Sequence, residues 1–154
     1  AQFAEVSGTV KEQIVDEIKS KGEKLFIRGE PEIEMKRGET KEVFYGILNV
    51  LTTSQNFKMY SKCTDSVSGI KEEDIKITLE TLKETSIRSG DFGILPLRIK
   101  ADPNVVYDTY SCEFAVTTSS SGQTVTETET SKTFTFGSSE SPYVIKRFFI
   151  KIIQ

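Results

Sequence analysis

A helical repeat of apolar residues opens the chain. Across residues 3–21 the spacings between successive apolar positions are three, four, four and four, the period of one helix face. Acidic and basic residues alternate over the remaining surface, and Lys21-Gly22 is typical of a helix C-terminus. The pattern predicts an amphipathic α-helix. Its apolar stripe consists of Phe3, Val6, Val10, Ile14 and Ile18.

After Gly22 the apolar residues recur at every second position, the period of a half-buried strand. The segments FKMYSKC, EDIKITLE, GDFGILPLRIKAD and VVYDTYSCEFAV all alternate in this way. About eight such strands with no helix between them predict an antiparallel two-sheet β-sandwich. We therefore expect a mainly β protein with a helical segment, residues 1–22, and a sandwich domain, residues 23–154. The inward positions of VVYDTYSCEFAV are predicted to be Val106, Tyr110, Cys112, Phe114 and Val116.

The segment TTSSSGQTVTETETSKTFTF, residues 117–136, allows two interpretations. Its serine and threonine content is that of a low-complexity linker. Threonine is also a good strand former, and the alternation continues into Phe134 and Phe136. We therefore expect a hairpin of two solvent-facing edge strands.

The last predicted strand, YVIKRFFIKII, is apolar on both faces. One face belongs in the core, and the other needs cover from the helix or from a neighbouring subunit. The helix stripe likewise fits either its own sandwich or another copy of the chain. We expect the stripe and part of this strand to form an assembly or partner surface. The strand contributes Phe148, Ile150 and Ile152 to it.

The two cysteines, Cys63 and Cys112, both lie at strand positions whose side chains are predicted to point into the core. Two inward cysteines on different strands can face one another across a sandwich core. The alternative is a pair of unrelated buried thiols, since free cysteine packs as a small hydrophobic residue. We expect the two cysteines to form a disulfide, which would place the protein in an oxidising, extracytoplasmic compartment.

Composition narrows the possible functions. The formal net charge of -3 and the pI of about 5.2 argue against a nucleic-acid partner. No apolar run reaches the roughly 20 residues of a membrane-spanning helix, so we expect membrane contact only through a segment absent from this chain. Histidine is absent, which removes the commonest general base and metal ligand. We expect no catalytic residues and no cofactor.

Two acidic clusters offer oxygen ligands for calcium. Glu30, Glu32 and Glu34 alternate along one predicted strand, and residues 72–74 form an acidic run. Neither has the ligand spacing of a calcium-binding loop, and charged edge strands also protect sheets from aggregation. We therefore expect no metal site.

Tyr110-Ser-Cys112 resembles the Tyr-x-Cys on the sixth strand of immunoglobulin domains. The resemblance implies an immunoglobulin-like sandwich in which Tyr110 anchors a corner and Cys112 bridges the sheets. Asp108 lies two residues before the tyrosine rather than four, and the core tryptophan of that family is missing.

A second resemblance covers the layout of residues 1–154. The segments MKRGETKEVFYGILNVLTTSQNFKMYSKC and IRSGDFGILPLRIKADPNVVYDTYSCEFAV are similar to immunoglobulin-like ectodomains of archaeal and bacterial surface proteins. These include archaeal pilin-type filament subunits, in which a helix precedes the sandwich. The resemblance implies a cell-surface or extracellular protein that assembles with itself or with other envelope proteins.

The expected function is a non-catalytic structural or adhesion module, either a pilus-like filament subunit or a membrane-anchored ectodomain. The alternative is an extracellular module that binds carbohydrate or an envelope protein. That alternative would use loops near residues 52–56 and 66–69, with a pocket lined by Tyr45, Tyr60 or Tyr107.

Overall fold

The computed structural model describes residue 3, residues 5–119 and residues 142–154. These residues form one α-helix, nine β-strands and a short 3₁₀ turn at Glu72–Asp74. The predicted edge hairpin of residues 117–136 lies outside this part of the chain, apart from its start. The elements are α1 (Gly8–Lys21), β1 (Leu25–Ile27), β2 (Glu32–Lys36), β3 (Thr40–Leu48), β4 (Gln55–Ser66), β5 (Ile77–Thr81), β6 (Glu84–Ile87), β7 (Phe92–Ala101), β8 (Thr109–Ser119) and β9 (Val144–Ile153).

The strands form two sheets that pack face to face. The four-stranded sheet has the order β1-β3-β7-β5, and the five-stranded sheet has the order β2-β9-β8-β4-β6. All neighbours are antiparallel except β2, which runs parallel to β9. These orders match the two sheets of an immunoglobulin-like sandwich. The predicted fold class is therefore confirmed, whereas the domain boundary between residues 22 and 23 stays a prediction.

Strand alternation places the predicted apolar faces in one core. Leu97 and Ile99 of β7 are buried there, while Lys100 is exposed. Cys112 and Phe114 are also buried, as the alternation predicts. Val106 is the exception, because β8 begins only at Thr109 and the side chain of Val106 is 53% exposed. The alternation therefore predicts a start of this strand that is too early in the sequence.

The core-facing side of β9 is opposite to the predicted one. Phe148 lies opposite Cys112, and Ile150 lies opposite Tyr110, in the antiparallel register with β8. Because those partners point inward, the same side of β9 also points inward, and Phe148, Ile150 and Ile152 are buried in the core. The predicted partner surface is therefore wrong at these three positions.

The helix packs on its own sandwich, on the outer face of the four-stranded sheet. Ile14 and Ile18 are fully buried there against Phe26. A Cβ atom on Gly46 would come within 2.5 Å of Ile14 Cγ2, so the absence of a side chain at this position allows the close approach. Ile14 and Ile18 are therefore not available to a partner. Because the helix packs on the four-stranded sheet, it does not provide the cover that the sequence predicts for the second apolar face of β9.

Local signals set the ends of the helix. Ser7 caps the N-terminus, where its hydroxyl accepts a hydrogen bond from the Val10 amide at 3.2 Å. The helix therefore begins at Gly8 and not at Phe3, whose ring lies over the guanidinium of Arg98 at 4.7 Å. Gly22 ends the helix with a left-handed φ of 66°.

The disulfide joins Cys63 and Cys112, which lie directly opposite each other on β4 and β8. Both strands belong to the five-stranded sheet, so the bond does not bridge the two sheets. The predicted disulfide between Cys63 and Cys112 is therefore confirmed. Its expected position across the core is wrong, because the inward face of a strand does not show which strand lies next to it. The bond closes a loop across a sequence separation of 49 residues.

Lys146 ties the first strand to the rest of the sandwich. Its ammonium group donates hydrogen bonds to the carboxylates of Glu23 and Glu30 and to the carbonyl of Leu25 at 3.0 Å. Burial raises the pKa of Glu30, and the hydrogen bond from Lys146 opposes that rise. One lysine thus holds both ends of β1 against β9.

Candidate partner-binding surface

Exposed apolar side chains gather at one end of the sandwich. Six large apolar side chains are exposed among the residues that the structure describes, and three of them belong to two neighbouring loops. Val67 is 80% exposed on the loop after β4, and Val106 and Tyr107 are 53% and 43% exposed on the loop before β8. Exposed apolar side chains on adjoining loops are a feature of protein interaction sites.

Hydrogen bonds join the two loops. The Val67 amide donates to the Thr109 carbonyl at 3.0 Å. The carboxylate of Asp108 accepts hydrogen bonds from the Ser68 amide at 3.2 Å, from the Ser68 hydroxyl, and from the Thr109 amide at 2.8 Å. The exposed apolar side chains are therefore carried by connected backbone and not by independent loops.

A third segment, the turn between β2 and β3, contributes Arg37. Its guanidinium lies 3.7 Å from the centre of the Tyr107 ring, and its Nε donates to the Val105 carbonyl at 2.6 Å. Stacking of this kind combines a cation–π attraction with van der Waals contact. We call the resulting patch the loop-end surface. It consists of Arg37, Val67, Ser68, Val106, Tyr107 and Asp108.

Tyr110 supports this surface from below. Its side chain is buried, and its hydroxyl donates to the Val106 carbonyl at 2.6 Å, four residues upstream. The tyrosine corner of immunoglobulin domains makes a backbone hydrogen bond of this type. Burial, followed by the negative charge of Asp108, raises the pKa of Tyr110, so the hydroxyl stays protonated and can donate. Tyr110 thus fixes the backbone that carries Val106.

The link between Asp108 and Ser68 predicts a pH dependence. Burial acts to raise the pKa of Asp108, but the hydrogen bonds from Ser68, Ser66 and Thr109 outweigh it and lower the pKa below its ordinary value of 3.8. The ionised carboxylate therefore stabilises the fold above that pH, and the stabilisation is lost as the pH falls through the lowered pKa. Asp108→Asn should be less stable than the wild type at pH 6, and the difference should shrink below about pH 3.8.

Urea unfolding of both proteins between about pH 2.5 and 6 measures this difference. Asp91→Asn is a matched control, because Asp91 lies in the loop before β7, at the opposite end of the sandwich. A difference between Asp108→Asn and the wild type that is the same at every pH would contradict the assigned role of the carboxylate.

The three tyrosines predicted to line a pocket do not converge. Tyr45 is buried in the core, where its hydroxyl shares a 2.7 Å hydrogen bond with Thr81. Tyr60 packs with Ala115 on the outer face of the five-stranded sheet, and only Tyr107 lies in the loop-end surface. A groove of about 400 Å³ lies between the helix and β1, and none of these tyrosines lines it.

The two loops proposed for ligand binding are also far apart. They lie at opposite ends of β4, whose 12 residues span roughly 36 Å at about 3.3 Å per residue. Residues 52–56 and 66–69 therefore cannot form one site, and only the second loop belongs to the loop-end surface.

The carboxylates of the two acidic clusters either form ion pairs with lysines or are exposed to solvent. Glu30 pairs with Lys146, Glu72 pairs with Lys62, and Glu32 and Glu34 are exposed on β2. In the described part of the chain, no three carboxylate, cysteine or histidine side chains come together in a way that would hold a metal ion. Across the same residues, no helix has the length and apolar character needed to cross a membrane.

No protein-family model matches the sequence, and no curated protein matches it significantly. Solved structures do match the fold. The ASH/PapD-like domain of human CEP192 aligns with a TM-score of 0.52 and 14% identity, over 85% of this chain and 86% of that one. A family 123 glycoside hydrolase from Clostridium perfringens aligns with a TM-score of 0.51 and 11% identity, over 79% of this chain.

The match spans only 22% of the glycoside hydrolase. The class 5 fimbriae chaperone CfaA gives a TM-score of 0.45 at 13% identity, over 82% of this chain and 55% of that one. That score is too low to support an inference. At these identities the likenesses support a shared immunoglobulin-like fold and nothing more about function.

Sequence reasoning found the loop-end surface only in part. The sequence predicts roles for Tyr110 and Tyr107 but none for Arg37, which occurs only within the segment MKRGETKEVFYGILNVLTTSQNFKMYSKC. In the structure, 68 positions of sequence separate Arg37 from Val105, to which it donates. The one available signal was the run Val105-Val106-Tyr107, whose apolar side chains precede the turn into β8 and were assigned to the strand instead.

Proposed function

We propose that this protein is a non-catalytic, extracytoplasmic binding module, an adhesion domain that docks onto another protein through its loop-end surface. One observation carries the proposal. Val67, Val106 and Tyr107 are exposed on loops that hydrogen bonds hold together, and Arg37 stacks beside them. Tyrosine and arginine are enriched among the residues that contribute most to protein–protein binding. A patch held in place also loses little entropy on binding.

The disulfide supports the extracytoplasmic location. Bonds such as Cys63–Cys112 form and persist in oxidising compartments and are rare in the cytosol. A cell-surface position is consistent with this bond and is part of the proposal.

Two of the expected alternatives have less support. A pilin-type filament subunit rests on the sequence resemblance, and most of the apolar surface predicted for assembly is buried within the chain itself. A carbohydrate-binding module uses open aromatic faces, and the guanidinium of Arg37 leaves at most one face of the Tyr107 ring free for a sugar. A protein partner therefore fits the surface better than a sugar does.

Binding to intact cells of the source organism tests the proposal. We expect the fluorescently labelled protein to bind saturably, because its partner lies outside the cytoplasm. The double variant Val67→Ser with Tyr107→Ala should lose most of that binding, since it removes two exposed anchors without changing the core.

Val50→Ser is the matched control, because Val50 is 52% exposed in the loop before β4, at the opposite end of the sandwich. This control should bind as the wild type does. Equal binding by all three proteins, or no saturable binding at all, would refute the proposed role of the loop-end surface. Unfolding curves for each variant establish that the fold is retained.

A further inference from the structure

Two contacts fix the orientation of the Arg37 side chain. The guanidinium carbon lies over the Tyr107 ring, 3.7 Å from its centre, and Nε donates to the Val105 carbonyl at 2.6 Å. Tyr107 and Val105 belong to the loop that Tyr110 anchors through Val106. An arginine held in this way has already lost much of its rotamer freedom. Ligand binding therefore reduces the side-chain entropy less than it would for a mobile arginine.

The terminal nitrogens of Arg37 are the part of the side chain left for a ligand. Among the residues that the structure describes, neither Nη1 nor Nη2 has a hydrogen-bond or ion-pair partner. Arg37 is therefore a charged, oriented donor that is exposed to solvent.

The carboxylates near Arg37 are directed elsewhere. Asp108 accepts from Ser68 and from the Thr109 amide. Glu39 accepts from the Lys36 amide at 2.9 Å, and Asp102 accepts from the Asn104 amide at 2.8 Å. None of these three forms an ion pair with Arg37 in the described part of the chain.

We propose that Arg37 binds an aspartate or glutamate side chain of the partner protein, and that apolar residues beside this acid pack on Val67 and Val106. The planar guanidinium presents paired donors that match a carboxylate. A phosphate dianion is a poorer match, because Arg37 offers one cation while Asp108 and Asp102 lie on the neighbouring loop. The proposed ligand is therefore a protein segment in which an acidic residue is flanked by apolar ones. This inference rests on the proposed binding function.

A library of displayed random nonapeptides, selected on the disulfide-bonded protein, tests this inference. We expect enrichment of one aspartate or glutamate next to large apolar residues. Arg37→Gln should weaken binding of an enriched peptide about tenfold or more, as should replacing its acid by the corresponding amide. Because both changes remove the same contact, the two losses should not add. Arg37→Lys should also weaken binding, since lysine lacks the paired N–H donors and the planar group of a guanidinium.

Arg88→Gln is the matched control, because Arg88 is exposed in the loop between β6 and β7, and it should bind as the wild type does. Enriched peptides that lack an acid, or that bind Arg37→Gln equally well, overturn the carboxylate inference. If such peptides still require Val67 and Tyr107, the proposed binding function stands. If no selected peptide needs the loop-end surface for binding, both proposals are wrong.

Discussion

Replacement of both cysteines, Cys63→Ala with Cys112→Ala, is expected to lower the free energy of unfolding by about 4 kcal/mol. The disulfide closes a loop across 49 residues of sequence, and the loss of that closure gives the unfolded chain more conformations. For a domain of this size the midpoint of thermal unfolding should fall by about 10 °C. Urea and thermal unfolding of the wild type and the double variant measure both quantities.

Reduction of the wild type supplies the comparison that separates the bond from the altered side chains. The reduced wild type should unfold at nearly the same urea concentration as the double variant. A thiol assay on the unreduced, denatured protein should find no free thiol. Two free thiols, or a double variant as stable as the oxidised protein, would contradict the role of the disulfide and remove the main support for an extracytoplasmic location.

Gly46→Ala is expected to destabilise the fold by about 1–3 kcal/mol, because it forces a side chain into a close-packed contact. The new Cβ would lie 2.5 Å from Ile14 Cγ2 and 2.9 Å from Ile18 Cδ1. The helix must therefore shift away from the four-stranded sheet. Urea unfolding measures the loss of stability. Relative to the wild type, hydrogen exchange should accelerate more in α1 than in the β-strands.

Gly8→Ala is the matched control for this substitution. Gly8 lies in the first turn of the same helix, and a Cβ there would meet nothing within 4 Å. Because alanine favours a helix more than glycine does, this control should be as stable as the wild type or slightly more stable. If Gly46→Ala matched Gly8→Ala in stability and in helix exchange, the helix would not pack at Gly46 as the structure has it.

Periodicity predicted the fold well where one face of an element is apolar and the other polar. The stripe of α1 and the alternation of β7 each identify their buried face without ambiguity, as Ile14, Ile18, Leu97 and Ile99 show. Since such patterns repeat along the chain, the layout of a helix followed by a two-sheet sandwich could be predicted from the sequence alone.

Periodicity failed where both faces of an element are apolar or where the neighbouring element matters. β9 is apolar on both sides, and only its register with β8 shows that Phe148 faces the core while Ile145 is 44% exposed. The cysteines illustrate the second case. Two inward-pointing cysteines can form a disulfide either across the core or between neighbouring strands of one sheet. Only the pairing of β4 with β8 shows that the second arrangement is present.

The candidate site was harder to predict because three separate turns build it. The stacking of Arg37 on Tyr107 depends on the position of the β2–β3 turn beside the loop before β8. Arg37 lies in a turn, and Tyr107 lies in a loop although the alternation predicts it to be part of the following strand. Loop residues carry no pattern that reveals their neighbours in space. Tyr110 could be identified because its Tyr-x-Cys spacing resembles that of immunoglobulin domains, and the hydroxyl of Tyr110 does bond upstream backbone.

Photo-crosslinking on intact source cells tests most directly whether the loop-end surface binds a protein. A photoreactive residue replaces Val67 in one protein and Val50 in another, since both side chains are exposed and lie at opposite ends of the sandwich. We expect a crosslinked protein product of defined mass from position 67, which is absent from position 50 and is suppressed by excess unlabelled wild type. The same products from both positions, or none from position 67, would contradict it.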